Sequence, residues 1–260
     1  MTQPTATPGL PGFFDHVAFT TVASTNDEAL ARAADGAPEG VLITARTQTA
    51  GRGRRGRAWE SAEGNLFLSL ILRPEGGAEA AAALGFAAAL AIADTLEPLL
   101  PDGADIALKW PNDVLIGRRK VSGLLIERAP GGQGAALVLG VGVNLASHPG
   151  DTPYPATDLA AEGGGLVSAN RALAGFCEAF LARYRAWQRD GFGPLRAAWL
   201  ARVKGIGGPI AVEIEGARFD GVFRGIDDAG ALCLDLGAQG MKKVTAGDVY
   251  FTGPAGEDPC

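Results

Sequence analysis

The feature that most restricts the fold of this chain is the apolar run over residues 135–144, which reads AALVLGVGVN. A run of this length with several valines predicts a strand in the centre of a sheet. Gly140 and Gly142 interrupt it. Glycine inside a strand indicates that another group approaches the backbone closely, although a tight core explains these glycines equally well. The run ends at Asn144, whose amide can both donate and accept hydrogen bonds.

Periodicity and turn residues place the other elements around this strand. A helix is predicted to begin around Thr25, because Thr25 and Glu28 have the spacing of a capping box. Two longer helices are predicted over residues 78–99 and 171–189. Residues 149–165 are rich in proline and glycine and predict a loop. Further strands are predicted over residues 16–22, 41–46, 65–72, 106–110, 114–116 and 120–127, the last two joined as a hairpin.

The hydrophobic pattern of the sequence changes after residues 205–209, which read GIGGP. The short alternating strands predicted beyond this point indicate a small β-barrel of about fifty residues, near the lower limit for independent folding. These strands cover residues 210–214, 217–226, 232–234 and 242–245. The chain therefore divides into a loose N-terminal tail over residues 1–14, a main domain over residues 15–204 and a C-terminal domain over residues 205–260.

Composition and charge exclude several classes of protein. Hydrophobic residues make up 47% of the 260 residues, which is too apolar for a disordered chain. The net charge of −6 argues against nonspecific binding of nucleic acid by the whole chain. The most apolar stretch, residues 80–93, is too short to span a bilayer, and residues 1–12 lack the pattern of a signal peptide. Three widely spaced cysteines favour a reducing compartment, so we expect a cytoplasmic protein.

One segment is strongly basic although the chain as a whole is acidic. Residues 51–57 read GRGRRGR and contain four arginines. The segment matches the glycine pattern of a dinucleotide-binding loop, but that fingerprint needs a helix at its last glycine. Residues 57–64 do not predict a helix, so we reject this interpretation. Exposed backbone N–H groups and guanidinium groups bind phosphate, which predicts a loop that is mobile when empty and closes over a phosphate-bearing ligand. On the charge run alone, a solvated turn is the simpler interpretation.

Two further motifs place polar side chains beside strands. Residues 109–113 read KWPND, and the proline forces a turn where the chain presents Asn112 and Asp113. Asp113 is a candidate for orienting Mg²⁺ on a nucleotide or receiving an amine, and an Asx turn is the alternative. Lys120, with Gly123 close behind it, is a candidate for contacting a ligand that approaches the backbone. An exposed hairpin lysine is the alternative for that residue.

Together, and in this order along the chain, these motifs resemble the biotin–protein ligase family. The resemblance runs from about residue 16 to residue 144, continues weakly through the long helix and resumes in the C-terminal domain. It implies an α+β fold of the class II synthetase type, with a mixed, mostly antiparallel sheet flanked by helices, followed by an SH3-like β-barrel. The matching residues are Ser24, Thr25, Asn26, Gln48, 51–57, Trp59, 109–113, Lys120, Gly123 and 140–144.

The resemblance implies an enzyme that makes biotinyl-5′-AMP from biotin and ATP with Mg²⁺, then transfers biotin to the lysine of a biotin carboxyl carrier protein domain. Lys120 is implied to bridge the biotin carboxylate and the α-phosphate. The other implied catalytic residues are Asp113 and Arg54. Asp113 is also implied to act indirectly on the metal. The residues implied to bind biotin are Ser24, Thr25, Asn26, Gln48, Gly51, Arg52, Gly53, Arg54, Lys120 and Gly123. Those implied to bind ATP or the adenylate are Arg52, Arg54, Arg55, Trp59, Asn112, Lys120 and Asn144, with Trp59 stacking on adenine.

Partners and rival functions are expected on the same basis. Some family members carry an N-terminal helix-turn-helix and repress transcription, but the Ser-Thr-Asn motif begins here at residue 24. We therefore expect no binding to DNA, and we expect no membrane partner; a homodimer is compatible with the sequence. A lipoate–protein ligase is the nearest alternative, although the arginine segment and the C-terminal domain favour biotin. A noncatalytic RNA-binding protein is the alternative from another class, and the acidity of the chain and the lack of aromatic residues among the arginines oppose it.

Overall fold

The computed structural model describes residues 9–130, 136–152 and 154–252, and these residues form two β-sheets and four α-helices. The first sheet contains β1 (Asp15–Val22), β2 (Val41–Gln48), β3 (Leu66–Leu72), β4 (Ile106–Lys109), β5 (Asp113–Ile116), β6 (Arg119–Arg128) and β7 (Leu137–Val143). The helices are α1 (Thr25–Ala34), α2 (Gly77–Leu96), α3 (Ala169–Asp190) and α4 (Phe192–Leu200). The second sheet contains β8 (Pro209–Ile214), β9 (Ala217–Ile226), β10 (Leu232–Asp235), β11 (Met241–Val244) and β12 (Asp248–Phe251).

β7 lies at the centre of the first sheet, whose strand order is β1-β2-β3-β7-β6-β5-β4. It pairs antiparallel with β3 on one side and with β6 on the other. β1 and β2 run parallel, whereas every other neighbouring pair in this sheet is antiparallel. The predicted central strand and the mixed, mostly antiparallel sheet are therefore confirmed. Residue 135, the first of the predicted run, lies outside the described residues.

The two faces of the first sheet are covered differently. Alternation along β7 turns Leu139 and Val141 into the main hydrophobic core, which α2 and α3 complete. Val138 belongs to a smaller core on the other face, where α1 packs. Gly140 and Gly142 share that second face, since they follow Val138 at even spacing. α1 is only ten residues long and covers part of this face. Gly140 lies under its first turn, against Asn26, whereas Gly142 lies under the ring of Trp59.

α2 is the central helix of the main core, and its many alanines let the sheet and α3 approach it closely. By length and composition alone, the segment Glu79–Leu99 could cross a membrane. However, 78% of its most apolar window is buried inside the fold, which is the arrangement of a core helix in a soluble protein.

The second sheet is an open antiparallel sheet with the order β11-β10-β9-β8-β12. This five-stranded antiparallel sheet agrees with the predicted SH3-like C-terminal domain. Within the described part of the chain β11 and β12 form opposite edges and do not pair, so the sheet is not closed into a barrel. The sequence does not predict β12, which is only four residues long and follows β11 after a three-residue turn. It also does not predict α4, since Gly193 and Pro194 lie in the first turn of that helix.

Two local predictions near the N-terminus are wrong. Ser24 is the N-cap of α1, and Thr25 directs its hydroxyl to Gln48 instead of capping the helix. The loose tail is shorter than predicted, because Phe13 and Phe14 pack against the main core and the Phe13 ring lies 6.1 Å from that of Tyr184. Residues 1–8 of the predicted tail lie outside the described residues.

Candidate active site

The candidate site is a cavity of about 450 Å³ between the first sheet, the arginine segment (residues 51–57) and the β12 edge of the second sheet. Its floor is made of glycine, since Gly123 of β6 lies directly opposite Gly142 of β7. The ring of Trp59 lies on both of them. A Cβ added to Gly142 would lie 2.5 Å from Trp59 Cε2, and one added to Gly123 would lie 2.9 Å from Cζ3. The absence of side chains at these two positions therefore allows a planar ring to rest on the sheet.

At one end of this floor, the N-terminus of α1 presents a buried polar cluster. Thr25 donates its backbone N–H and its hydroxyl to Gln48 Oε1, at 2.8 and 3.1 Å. Ser69 Oγ lies 2.5 Å from Asn26 Oδ1 and 2.8 Å from Thr25 Oγ1. Asn26 lies so close to Gly140 that an added Cβ there would overlap Asn26 Oδ1. This end of the cavity offers both donors and acceptors without a net charge, which suits a small polar ring.

The centre of the cavity contains two lysines and one carboxylate. Lys120 Nζ lies 2.6 Å from Asp113 Oδ1, and Lys109 Nζ lies 3.8 Å from the other oxygen of the same carboxylate. The ring of Tyr154 covers Lys109, with its centroid 3.6 Å from Nζ. The centre therefore has an excess of positive charge, which suits a ligand with more than one negative group.

Burial and these charges shift the acidity of the central groups in opposite directions. Burial lowers the pKa of Lys109 to about 8, although Asp113 opposes the shift. Burial alone would raise the pKa of Asp113, but the charges of Lys120 and Lys109 outweigh it and hold the pKa of that carboxyl below its ordinary value. Asp113 is consequently a charged partner of the lysines and a weak proton acceptor.

A β-bulge explains how Lys120 reaches the cavity. The pairing of β5 with β6 shifts register after Val114, which leaves Val121 without an opposite residue. In a regular strand Lys120 and Gly123 would point to opposite faces, because side chains alternate. The extra residue brings both to the same cavity.

Arg52, the first arginine of the arginine segment, is fixed to the polar end of the site. Its guanidinium lies 2.6 Å from Asp27 Oδ1 and 2.9 Å from Glu127 Oε2. Glu127 also accepts a hydrogen bond of 2.7 Å from Asn26 Nδ2. Glu127 thus connects the arginine segment to the cluster at α1.

The remaining three arginines lie towards the other end of the cavity, which Arg54 and Arg57 line. Arg54 donates to Asn112 Oδ1 at 3.2 Å, while Asn112 Nδ2 donates to a backbone carbonyl of β6. Arg55 and Arg57 extend to Asp248, the first residue of β12, at 2.9 and 2.6 Å. A short 3₁₀ turn over Arg54–Gly56, in which Arg55 has a φ of 57°, reverses the chain so that these side chains converge.

The cavity gathers most of the residues that the sequence predicts for it. Gly51 and Arg55 do not line it. A Cβ on Gly51 would lie 2.7 Å from the Trp59 carbonyl oxygen, so this glycine permits the close return of the segment, and Arg55 points to Asp248. Asn144 commits its Nδ2 to the carbonyl of Thr157, at 3.0 Å. The predicted residues that line the cavity are Ser24, Thr25, Asn26, Gln48, Arg52, Gly53, Arg54, Trp59, Asn112, Asp113, Lys120, Gly123 and Asn144.

Several residues at the site are missing from the sequence prediction. Ser69 has a local signal, because it is the one polar residue in an apolar strand. Lys109, the last residue of β4, belongs to the matched motif at 109–113 but is absent from the residues predicted to bind a ligand. Tyr154 lies in a proline-rich loop, and Asp248 in a short edge strand of the other sheet; neither has a distinctive local pattern. Arg57 belongs to the arginine segment but is absent from the residues predicted to bind a ligand.

The donor set fits a nucleotide better than a metal held by protein alone. Among the residues that the structure describes, no group of three or more His, Cys, Asp and Glu side chains comes together. The carboxylate at the centre, Asp113, already faces two lysines. Mg²⁺ commonly binds through substrate phosphates plus one or two carboxylates, and Asp113 is compatible with that arrangement.

Comparison with known proteins adds independent information about this architecture. Residues 18–144 match the Biotin/lipoate A/B protein ligase family, and residues 205–252 match the Biotin protein ligase C terminal domain. The chain is 45% identical to a biotin–[acetyl-CoA-carboxylase] ligase of Paracoccus denitrificans, over 88% of this chain and 98% of that protein. It is 40% identical to a protein of the same name from Mycobacterium tuberculosis, over 87% of this chain and 85% of that protein.

Solved structures show the same fold. A biotin protein ligase from Aquifex aeolicus in complex with biotin and ATP superimposes with a TM-score of 0.79 at 23% identity, covering 92% of this chain and 99% of that one. A biotin protein ligase from Leishmania major in complex with biotin gives a TM-score of 0.58 at 25% identity, covering 91% and 99%. The first likeness concerns the fold alone, and it confirms the predicted α+β class.

Proposed function

The chain belongs to the biotin–protein ligase family, and we propose that its cavity carries out both steps of biotin transfer. In the first step biotin reacts with ATP to give biotinyl-5′-AMP, and in the second the biotinyl group passes to a protein lysine. The position of Lys120 is the main support for placing both steps in this cavity. Lys120 lies on the glycine floor, with the neutral polar cluster and Arg52 at one end and Arg54 and Arg57 at the other.

The polar cluster is proposed to hold the biotin ring. That ring is a cyclic urea with two N–H donors and one carbonyl acceptor, and Thr25, Asn26, Gln48 and Ser69 offer complementary groups in a buried place. Arg52 closes this end through its contacts with Asp27 and Glu127.

The adenylation step brings together two anions. An oxygen of the biotin carboxylate bonds to the α-phosphorus of ATP, the bond to the bridging oxygen breaks, and pyrophosphate leaves. Lys120 is proposed to lie between the two negative groups and stabilise the charge that develops, which is typically worth about 3–4 kcal/mol per donor. Arg54, Arg57 and Lys109 are proposed to contact the phosphates. Mg²⁺ carried by ATP would offset further phosphate charge, and Asp113 is the residue proposed to orient it.

In the transfer step the ε-amine nitrogen of the acceptor lysine bonds to the acyl carbon, AMP leaves with the bonding electrons, and the nitrogen loses a proton. The low pKa of Asp113 makes it a weak base. Its proposed part is therefore to orient Lys120 and to attract the acceptor side chain as an ammonium group. That group gives up one proton to water before the neutral amine attacks and a second after the bond forms. The step needs no nucleophile from the enzyme. An acyl-adenylate hydrolyses in water, so the site must remain closed until the acceptor arrives.

The acceptor is proposed to be the biotin carboxyl carrier domain of a biotin-dependent carboxylase, as the names of the two bacterial relatives suggest. The proposal places the protein in the cytoplasm and includes neither DNA nor a membrane as partner. It is compatible with a monomer or a homodimer. The same relatives favour biotin over lipoate, which is the nearest alternative substrate.

ATP–pyrophosphate exchange tests this proposal. Exchange is measured with biotin, with lipoate and with no acid, using the wild type, Lys120→Ala and the control Lys242→Ala, whose lysine lies over Phe219 in the second sheet. We expect exchange with biotin alone, reduced about 10²- to 10³-fold by Lys120→Ala and unchanged by Lys242→Ala. Exchange with lipoate would overturn the substrate, and absence of exchange from folded protein would overturn the activity.

A further inference from the structure

Asp248 gathers three arginines of the arginine segment on a single carboxylate. Arg57 reaches both of its oxygens at 2.6 and 2.7 Å, and Arg55 lies at 2.9 Å. Arg54 Nη1 lies 3.7 Å away, and its Nη2 donates to the carbonyl of the preceding residue, Gly247, at 3.1 Å. The carboxylate is itself only 15% exposed.

This arrangement differs from an ordinary surface ion pair. Arg218 and Asp220, for comparison, are two residues apart on β9 and largely exposed, and such pairs contribute little. Asp248 is about 190 positions from its arginines and lies on the other sheet. One carboxylate also leaves two of the three positive charges uncompensated. The cluster therefore holds the segment in place while it keeps a net attraction for anions.

The position of Arg54 connects this cluster to the cavity. Its guanidinium contacts Asn112 of the KWPND turn and the Asp248–Gly247 strand end at the same time. Asn112 lies next to Asp113, the carboxylate at the centre of the site. Loss of the Asp248 carboxylate is therefore expected to affect the end of the cavity that is proposed to bind the nucleotide, through the side chain of Arg54.

We infer that Asp248 is a positioning residue, by which the C-terminal domain holds the arginine segment closed over the phosphates and keeps water from the adenylate. The inference rests on the proposed function. It gives the second sheet a part in the reaction through Arg54, Arg55 and Arg57. Without the carboxylate, the like charges of the segment repel one another and the segment opens more often.

The test compares Asp248→Asn with the conservative Asp248→Glu and with Asp220→Asn, which removes the same charge from the same sheet. Thermal unfolding first establishes that each variant is folded. Trypsin cleavage within residues 51–57 then measures opening of the segment without any need for activity. We expect cleavage of Asp248→Asn to be faster by on the order of tenfold, with Asp248→Glu largely restored and Asp220→Asn unchanged.

The kinetic arm uses biotin and ATP without an acceptor protein. Asp248→Asn is expected to raise the KM for ATP and the release of AMP by adenylate hydrolysis about tenfold, with kcat for exchange within about threefold of wild type. Unchanged cleavage in Asp248→Asn would overturn the inference, and so would a lower KM for ATP, since Asp248 would then compete with the nucleotide. Faster cleavage in a protein that shows no exchange would support the part played by Asp248 and overturn the proposed activity instead.

Discussion

Gly142 is the position at which a single methyl group tests the geometry of the cavity floor. The residue lies in β7 and has no positive φ, so alanine suits its backbone conformation. A Cβ there would lie 2.5, 2.6 and 2.7 Å from three atoms of the Trp59 ring. Because carbon atoms in contact are separated by about 3.5 Å or more, the ring must move by about 1 Å. We expect Gly142→Ala to reduce the free energy of unfolding by about 1–3 kcal/mol, the usual cost of overpacking.

A double-mutant cycle separates this clash from any other effect. Urea unfolding is measured for Gly142→Ala in the wild type and in Trp59→Ala, where the ring is absent. The cost should disappear in Trp59→Ala, and alanine should even stabilise that background slightly by restricting the unfolded chain. Gly85→Ala in α2 is the matched control, since its Cβ would meet Ile126 Cδ1 at an ordinary 3.6 Å. An equal cost of Gly142→Ala in both backgrounds would refute the reasoning.

Two further predictions concern the polar end and the centre of the cavity. Ser69→Ala removes the buried hydroxyl that lies beside Asn26 Oδ1 and Thr25 Oγ1, and Thr25 Oγ1 keeps only its bond to Gln48. We therefore expect a loss of about 1–3 kcal/mol in stability and a raised KM for biotin at unchanged KM for ATP. Equal changes in both constants would contradict this prediction. The second concerns Lys109. The pKa of Lys109 is about 8, below the ordinary 10.5, so the side chain loses its charge as the pH rises through 8. We expect the KM for ATP of the wild type to rise across the same pH range. The rise should be smaller in Lys109→Arg, because arginine stays charged. Between pH 8 and pH 10.5 the unfolded chain binds more protons at Lys109 than the folded protein does. The contribution of Lys109 to the free energy of unfolding should therefore increase with pH over this range, and Lys109→Met should lack this increase.

Local sequence patterns were sufficient for the elements whose cause is local. The apolar run predicts β7 as the central strand, and the proline of KWPND predicts the turn between β4 and β5. The charge and glycine content of the arginine segment belong to one short stretch, so the sequence alone predicts an anion-binding loop there, and this stays a prediction. Most residues that line the cavity follow from these motifs together with the family resemblance.

Only the tertiary structure decides which residues complete the site. Asp248 and Tyr154 have no distinctive pattern around them, and their roles arise from contacts with residues far away in the chain. The sequence also does not show that a bulge at Val121 turns Lys120 into the cavity, since alternation alone predicts the opposite face. The physical reason is the same in each case. Periodicity and propensity act over a few neighbouring residues, whereas ion pairs and ring contacts depend on packing that brings distant segments together.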